Sequence, residues 1–172
     1  MDLTNLHSLS ASDATRLIRN GIISSEQFVE ACLERVREAD AGVQAWTFLD
    51  PDHALAQARA ADTYRLSGQP TGPLHGVPVG IKDIFDTADM PTENGSVLFA
   101  GRTPSRDSTA VSQLRAAGAV IMGKTVTTEF AYFSPGKTCN PHNPEHTPGG
   151  SSAAICTNGI RARGRVSGSP SS

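Results

Sequence analysis

A chain of 172 residues is long enough for one domain with a sizeable core, and 15 Lys and Arg against 17 Asp and Glu leave a formal charge of −2. That balance excludes any strong electrostatic bias toward nucleic acid, anionic membrane or acidic partners. The opening MDLTNLHSLSASD carries two acids and no base, unlike a signal peptide, and no apolar run is long enough to span a bilayer, so the expected setting is cytoplasmic.

In chain order, Ser10 with Asp13 three residues on resembles a capping box, and Leu17 and Ile18 give the helix that follows an apolar side before Gly21. Ser24 with Gln27 forms a second box, and Phe28, Val29, Cys32, Leu33 and Val36 lie on one stripe, predicting a second amphipathic helix to about Ala39. Ala45 to Leu49 reads as a short strand. Asp50-Pro51 then caps a third helix, alanine-rich and so suited to close packing, that ends near Gly68. Gln69 to Gly76 is a loop dense in Gly and Pro, and it runs into the apolar VPVGIKDIF, a strand with Lys82 toward its end. The breaks in Asp86 to Asp107 make it a long loop of functional length. Ser108 to Ala117 is helical by spacing, and Ala119 to Met122 is a buried strand. Strand, helical crossover and strand form a βαβ-like unit, which argues for an α/β sheet.

That last stretch, GAVIMGKT from Gly118 to Thr125, matches the phosphate-loop pattern G-x-x-x-x-G-K-[ST]. A phosphate loop needs a strand before its first glycine and a helix after its Lys-Thr. Here a helix leads in, Gly118 sits where a left-handed helix terminator belongs, and β-branched residues fill the gap between the glycines. The match is read as accidental, with Lys124 at the carboxyl end of a strand.

Three cysteines, Cys32, Cys139 and Cys156, read as free thiols in a chain with no export signal. Cys139, His142 and His146 stand at C-x2-H-x3-H spacing, and Cys156 could add a fourth zinc ligand. Pro141 and Pro144 interrupt the segment and there is no C-x-x-C half, so metal-free loop histidines are the expectation.

Two stretches carry chemistry. Lys82 is the only base between Val77 and Phe85, and a lysine dehydrated at a strand end has its pKa lowered toward that of a general base. The competing reading is a stem that packs and an ammonium that reaches water. In TPGGSSAA, Thr147 to Ala154, Gly149 and Gly150 permit a tight turn that would present Ser151 and Ser152, although Gly-Gly-Ser-Ser is also the composition of an ordinary flexible loop.

Taken in order, GPLHGVPVGIKDIFDT, RDSTAVSQLRAAGAVIMGKTVTTEFAYF and NPHNPEHTPGGSS closely resemble the amidase signature family, over about Leu9 to Ala154. The resemblance implies a mixed sheet flanked by helices, here its amino-terminal helices and part of the sheet. It also implies a Ser–cis-Ser–Lys triad without metal or cofactor. By that resemblance Lys82 is the base and Ser151 the cis-serine that relays the proton, with Gly149, Gly150 and Ser152 supporting the turn. The implied substrate is a small-molecule amide, cleaved to an acid and ammonia or an amine; a full-length protein of this kind could be a homo-oligomer. The family also includes a branch that transfers ammonia to misacylated tRNA, though K-D-I-F-D-T is worded more like the stand-alone amidases.

After Ala154 the sequence departs from the family pattern. ICTNGIRARGRVSGSPSS lacks periodicity and reads as a disordered tail over residues 155–172, following an incomplete amidase domain over residues 1–154. Ser167, Ser169, Ser171 and Ser172 lack the family's glycine-rich approach, so none is assigned as nucleophile. The expectation is an inactive amino-terminal fragment with apolar faces left exposed. The alternatives are an amidotransferase A-type fragment, a non-catalytic binding module, a nucleotide site at Gly118 to Thr125, or a zinc site at Cys139, His142 and His146.

Overall fold

The computed structural model describes residues 5–132 and 134–152; the predicted tail at 155–172, with Cys156, lies outside the described residues. Among these described residues four α-helices and three strands follow in the order α1 (Ala11–Arg19), α2 (Ser25–Val43), β1 (Trp46–Leu49), α3 (Pro51–Leu66), β2 (Pro78–Lys82), α4 (Thr109–Ala116) and β3 (Val120–Thr125).

The helix starts are local chemistry. The Ser10 hydroxyl accepts from Asp13 N–H at 3.1 Å and donates to its carboxylate at 2.8 Å. The Ser24–Gln27 capping box is complete, and Asp50 accepts from His53 N–H at 2.9 Å with Pro51 in the first turn. Ser108 stands at the N-cap of α4 as expected but makes no capping bond, and its buried hydroxyl has no partner among the described residues. One boundary is corrected: α2 runs past Ala39 to Val43. Val43 is buried in the core, Gln44 closes the helix in the left-handed region (φ 56°), and the Asp40 carboxylate takes Ala45 N–H at 2.6 Å.

The sheet is mixed, in the order β1-β3-β2. β3 runs antiparallel to β1 (Trp46 opposite Thr125) and parallel to β2 (Pro78 opposite Val120, Lys82 opposite Thr125). Alternation along β3 sends Val120 and Met122 into one core and Ile121 into another. The first core packs Val29, Leu33 and Val36 of α2 and the buried Ala54 and Ala58 of α3 against Trp46. The second joins Ile81 and Ile121 to Met90 and Val111, so helices flank both faces of the sheet. A third, between α1 and α2, reaches Val77 just before β2. Gln57 of α3 both accepts from Ile121 N–H (3.1 Å) and donates to Ile121 carbonyl oxygen (2.9 Å), taking up backbone groups beyond the point where β1 stops pairing.

Candidate functional site

Gly118 takes φ +88° directly after α4, and β3 continues unbroken from Val120 to Thr125. The strand outruns the expected Met122 end by three residues, and the segment lies in a sheet instead of forming a phosphate-cradling loop. Among the described residues no group of three His, Cys, Asp or Glu side chains is gathered to hold a metal, so Cys139, His142 and His146 form no such cluster.

Lys82 is the last residue of β2, and its half-buried ammonium donates to the Ser151 hydroxyl at 2.8 Å, across 69 residues of sequence. Loss of hydration holds the Lys82 amine below the ordinary lysine range. The turn that brings Ser151 there is built on two successive glycines with φ of +78° and +68°, Gly149 and Gly150, a region that side chains enter only with strain. Every peptide bond among the described residues is trans, so the cis linkage implied for Ser151 is not found; paired left-handed glycines make the turn instead.

Ser151 is fixed from its backbone. Its carbonyl oxygen accepts from the Thr127 hydroxyl (3.2 Å) and from Thr128 N–H (3.4 Å), and Ser152 pairs with Thr127 in an antiparallel bridge. Ser151 and Gly150 line a cleft of about 370 Å³ together with Thr128, Tyr132, Pro135 and Pro148, roomy enough for a small organic ligand. Beside it Phe130 and Ala131 take φ of 48° and 58°, conformations that cost roughly 1–3 kcal/mol each and concentrate at functional sites. Nothing in the residue types of EFAY announces that strain.

The residue that sequence reasoning passed over is Lys124. It is 0% exposed, its ammonium donates to Phe85 carbonyl oxygen (2.9 Å), Pro91 carbonyl oxygen (3.2 Å) and Thr92 hydroxyl, and Asp83 lies 3.4 Å away. Burial pushes the Asp83 carboxyl up and the Lys124 amine down, and each charge partly offsets the other's loss of water. The signal was present: a lone lysine inside an apolar run, the criterion that singled out Lys82.

A family model described as Amidase matches residues 27–155. The A-type polypeptide of the glutamyl-tRNA(Gln) amidotransferase of Salinispora arenicola is 43% identical over 155 residues, covering 87% of this chain and 32% of that protein. The solved peptide amidase of Stenotrophomonas maltophilia matches with a TM-score of 0.79 at 34% identity, over 86% of this chain and 33% of that one. A solved fatty acid amide hydrolase matches with a TM-score of 0.80 at 29% identity, over 87% of this chain and 28% of that one. The chain spans about a third of the length of these relatives.

Proposed function

The chain belongs to the amidase signature family, and from that membership we propose that Lys82 and Ser151 are two members of a proton relay serving cleavage of an amide C–N bond. The observation that carries the reading is the 2.8 Å contact between the Lys82 amine and the hydroxyl of Ser151, a residue that lines a ligand-sized cleft. In the relay, neutral Lys82 takes the Ser151 proton while the Ser151 oxygen takes the proton of an attacking serine. The attacking oxygen bonds to the amide carbon, and the amine or ammonia leaves with a returned proton. Water then releases the acid by the same relay run again. Lowering of the Lys82 pKa matters here, because only the neutral amine accepts a proton. Gly149 and Gly150 set the turn, and Ser152 anchors it to Thr127.

The attacking serine is not among the residues we assign, and the serines at 167, 169, 171 and 172 lie outside the described residues. The 172-residue chain by itself is therefore expected not to hydrolyse simple amides above background. The decisive experiment joins residues 1–152 to the remainder of the Stenotrophomonas maltophilia peptide amidase and assays peptide-amide hydrolysis. We expect activity that Lys82→Ala or Ser151→Ala lowers by roughly three orders of magnitude or more. An active hybrid indifferent to both substitutions would refute the relay. A second reading, an amidotransferase component of the A type, is favoured by the 43% identity to the Salinispora arenicola protein. It predicts that longer forms of the chain act only with partner proteins.

A further inference from the structure

We propose that Lys124 is a positioning residue that holds the Lys82 amine against Ser151, an inference that rests on the reading of Lys82 as the relay base. Asp83 and Lys124 are the only Lys, Arg, Asp or Glu side chains buried among the described residues. A buried ion pair adds little stability compared with well-packed apolar side chains, so its presence calls for another reason. What it touches supplies one.

The three donors of the Lys124 ammonium are all taken, by Phe85, Pro91 and Thr92, in the segment that immediately follows Lys82. Asp83, next in sequence to Lys82, uses its carboxylate to accept from Glu93 N–H (3.2 Å) and Gly95 N–H (3.4 Å), and its carbonyl oxygen to accept from Asn94 N–H (3.0 Å). The 93–96 turn is in turn seated on the strap that holds Ser151. Phe130 N–H donates to Asn94 carbonyl oxygen at 2.8 Å, the Ser96 hydroxyl donates to the Glu129 carboxylate at 2.8 Å, and a Cβ on Gly95 (φ +65°) would come within 2.9 Å of Thr127 carbonyl oxygen. Thr127 and Thr128 then hold the Ser151 carbonyl oxygen. Lys82, Asp83, the 93–96 turn, the 127–128 strap and Ser151 thus form a closed ring of contacts, and Lys124 is the hub. The other charges facing it are Asp86 and Arg102, which neutralise each other through two contacts of 2.8 and 2.9 Å. An apolar side chain at 124 would fill the space but leave three acceptors and the Asp83 carboxylate without the cation that gathers them.

The test uses the full 172-residue chain and measures the reaction of the Lys82 amine with trace acetic anhydride across pH, read by peptide mass spectrometry, with circular dichroism reporting the fold. In the unsubstituted chain Lys82 is expected to titrate below a free lysine. In folded Lys124→Met its profile should move toward that of a free lysine, with reactivity at about pH 8 falling below that of the unsubstituted chain. Lys124→Arg, which keeps a cation and its donors, should recover part of the difference. A folded Lys124→Met chain with an unchanged Lys82 profile overturns the proposal. If Lys124→Met does not fold, Thr92→Val removes a single acceptor and decides: a partial shift of Lys82 supports the hub, and an unchanged profile overturns it. A Lys82 that titrates like a free lysine before any substitution sinks the base assignment, and the positioning role falls with it, which separates the two failures.

Discussion

Lys82 and Lys124 stand on adjacent parallel strands, and both lose hydration on folding, but they meet different neighbours. Lys124 is enclosed by three acceptors and a carboxylate, whereas Lys82 faces a single hydroxyl, that of the cleft-lining Ser151. Sequence inspection could flag either as a lysine among apolar residues, but only the fold assigns one to the interior and the other to a site. A pH prediction follows for Lys82. Its folded pKa lies below the unfolded value, so between the two values the unfolded chain binds more protons, and stability rises with pH through that window up to about 10.4. Lys82→Met should remove this rise while Lys124 contributes equally to both proteins. Urea midpoints measured from neutral to alkaline pH check it, and parallel curves for the two proteins would contradict the shift. Cys32 offers a second test at this scale. Burial pushes its thiol up to about 12, so it should resist iodoacetamide in the folded chain and react only on unfolding. Labelling of Cys32 at the rate of a free thiol in native buffer would count against the packing of α2 on α1.

At the scale of elements, the amino terminus of α2 is fastened twice. The Ser24 hydroxyl takes Gln27 N–H at 3.0 Å, and the Asp62 carboxylate, reaching over from α3, takes Ser25 N–H at 2.8 Å and Glu26 N–H at 3.0 Å. Ser24→Ala should cost about 1 kcal/mol. Asp62→Ala removes two charge-assisted bonds and the cross-link between helices, and should cost more, about 1.5–3 kcal/mol, in denaturant unfolding. The reverse ranking would show that the local box, and not the α3 carboxylate, holds the helix. The contrast also explains what can be read from the sequence. Ser10, Ser24 and Asp50 announce helix starts because a cap and its partner lie three residues apart. Asp62 does not, because its partners lie 36 and 37 residues away. The strands at Trp46–Leu49 and Pro78–Lys82 are visible in their apolar runs, but nothing local says that β3 would lie between them or that β1 would run antiparallel. The end of α2 is hard to place from sequence because Gly42, one residue before the last turn closes, looks like a stop. Burial of Val43 carries the helix through it.

For the whole molecule, the position of the exposed apolar side chains matters more than their number. Val97 is 88% exposed, Leu98 78% and Tyr132 73%, with Phe130 and Phe85 also open; Tyr132 lines the cleft and Phe130 stands two residues before it. Phe99 and Phe130 meet edge to face with ring centres 5.8 Å apart, which brings the Val97–Phe99 turn up against the strap that holds Ser151. A patch of this kind on a chain with a formal charge of only −2 has little electrostatic repulsion to keep copies apart. The 172-residue chain should therefore associate as its concentration rises. Because the patch lies outside the cores built on α2, α3 and the sheet, Val97→Glu with Leu98→Glu should suppress that association and leave the thermal midpoint nearly unchanged. Sedimentation velocity across a concentration series, with circular dichroism melts on the same samples, provides the measurement. Association that persists in the double variant would place the sticky surface elsewhere, with the exposed Leu66 and Tyr64 at the end of α3 the next residues to substitute.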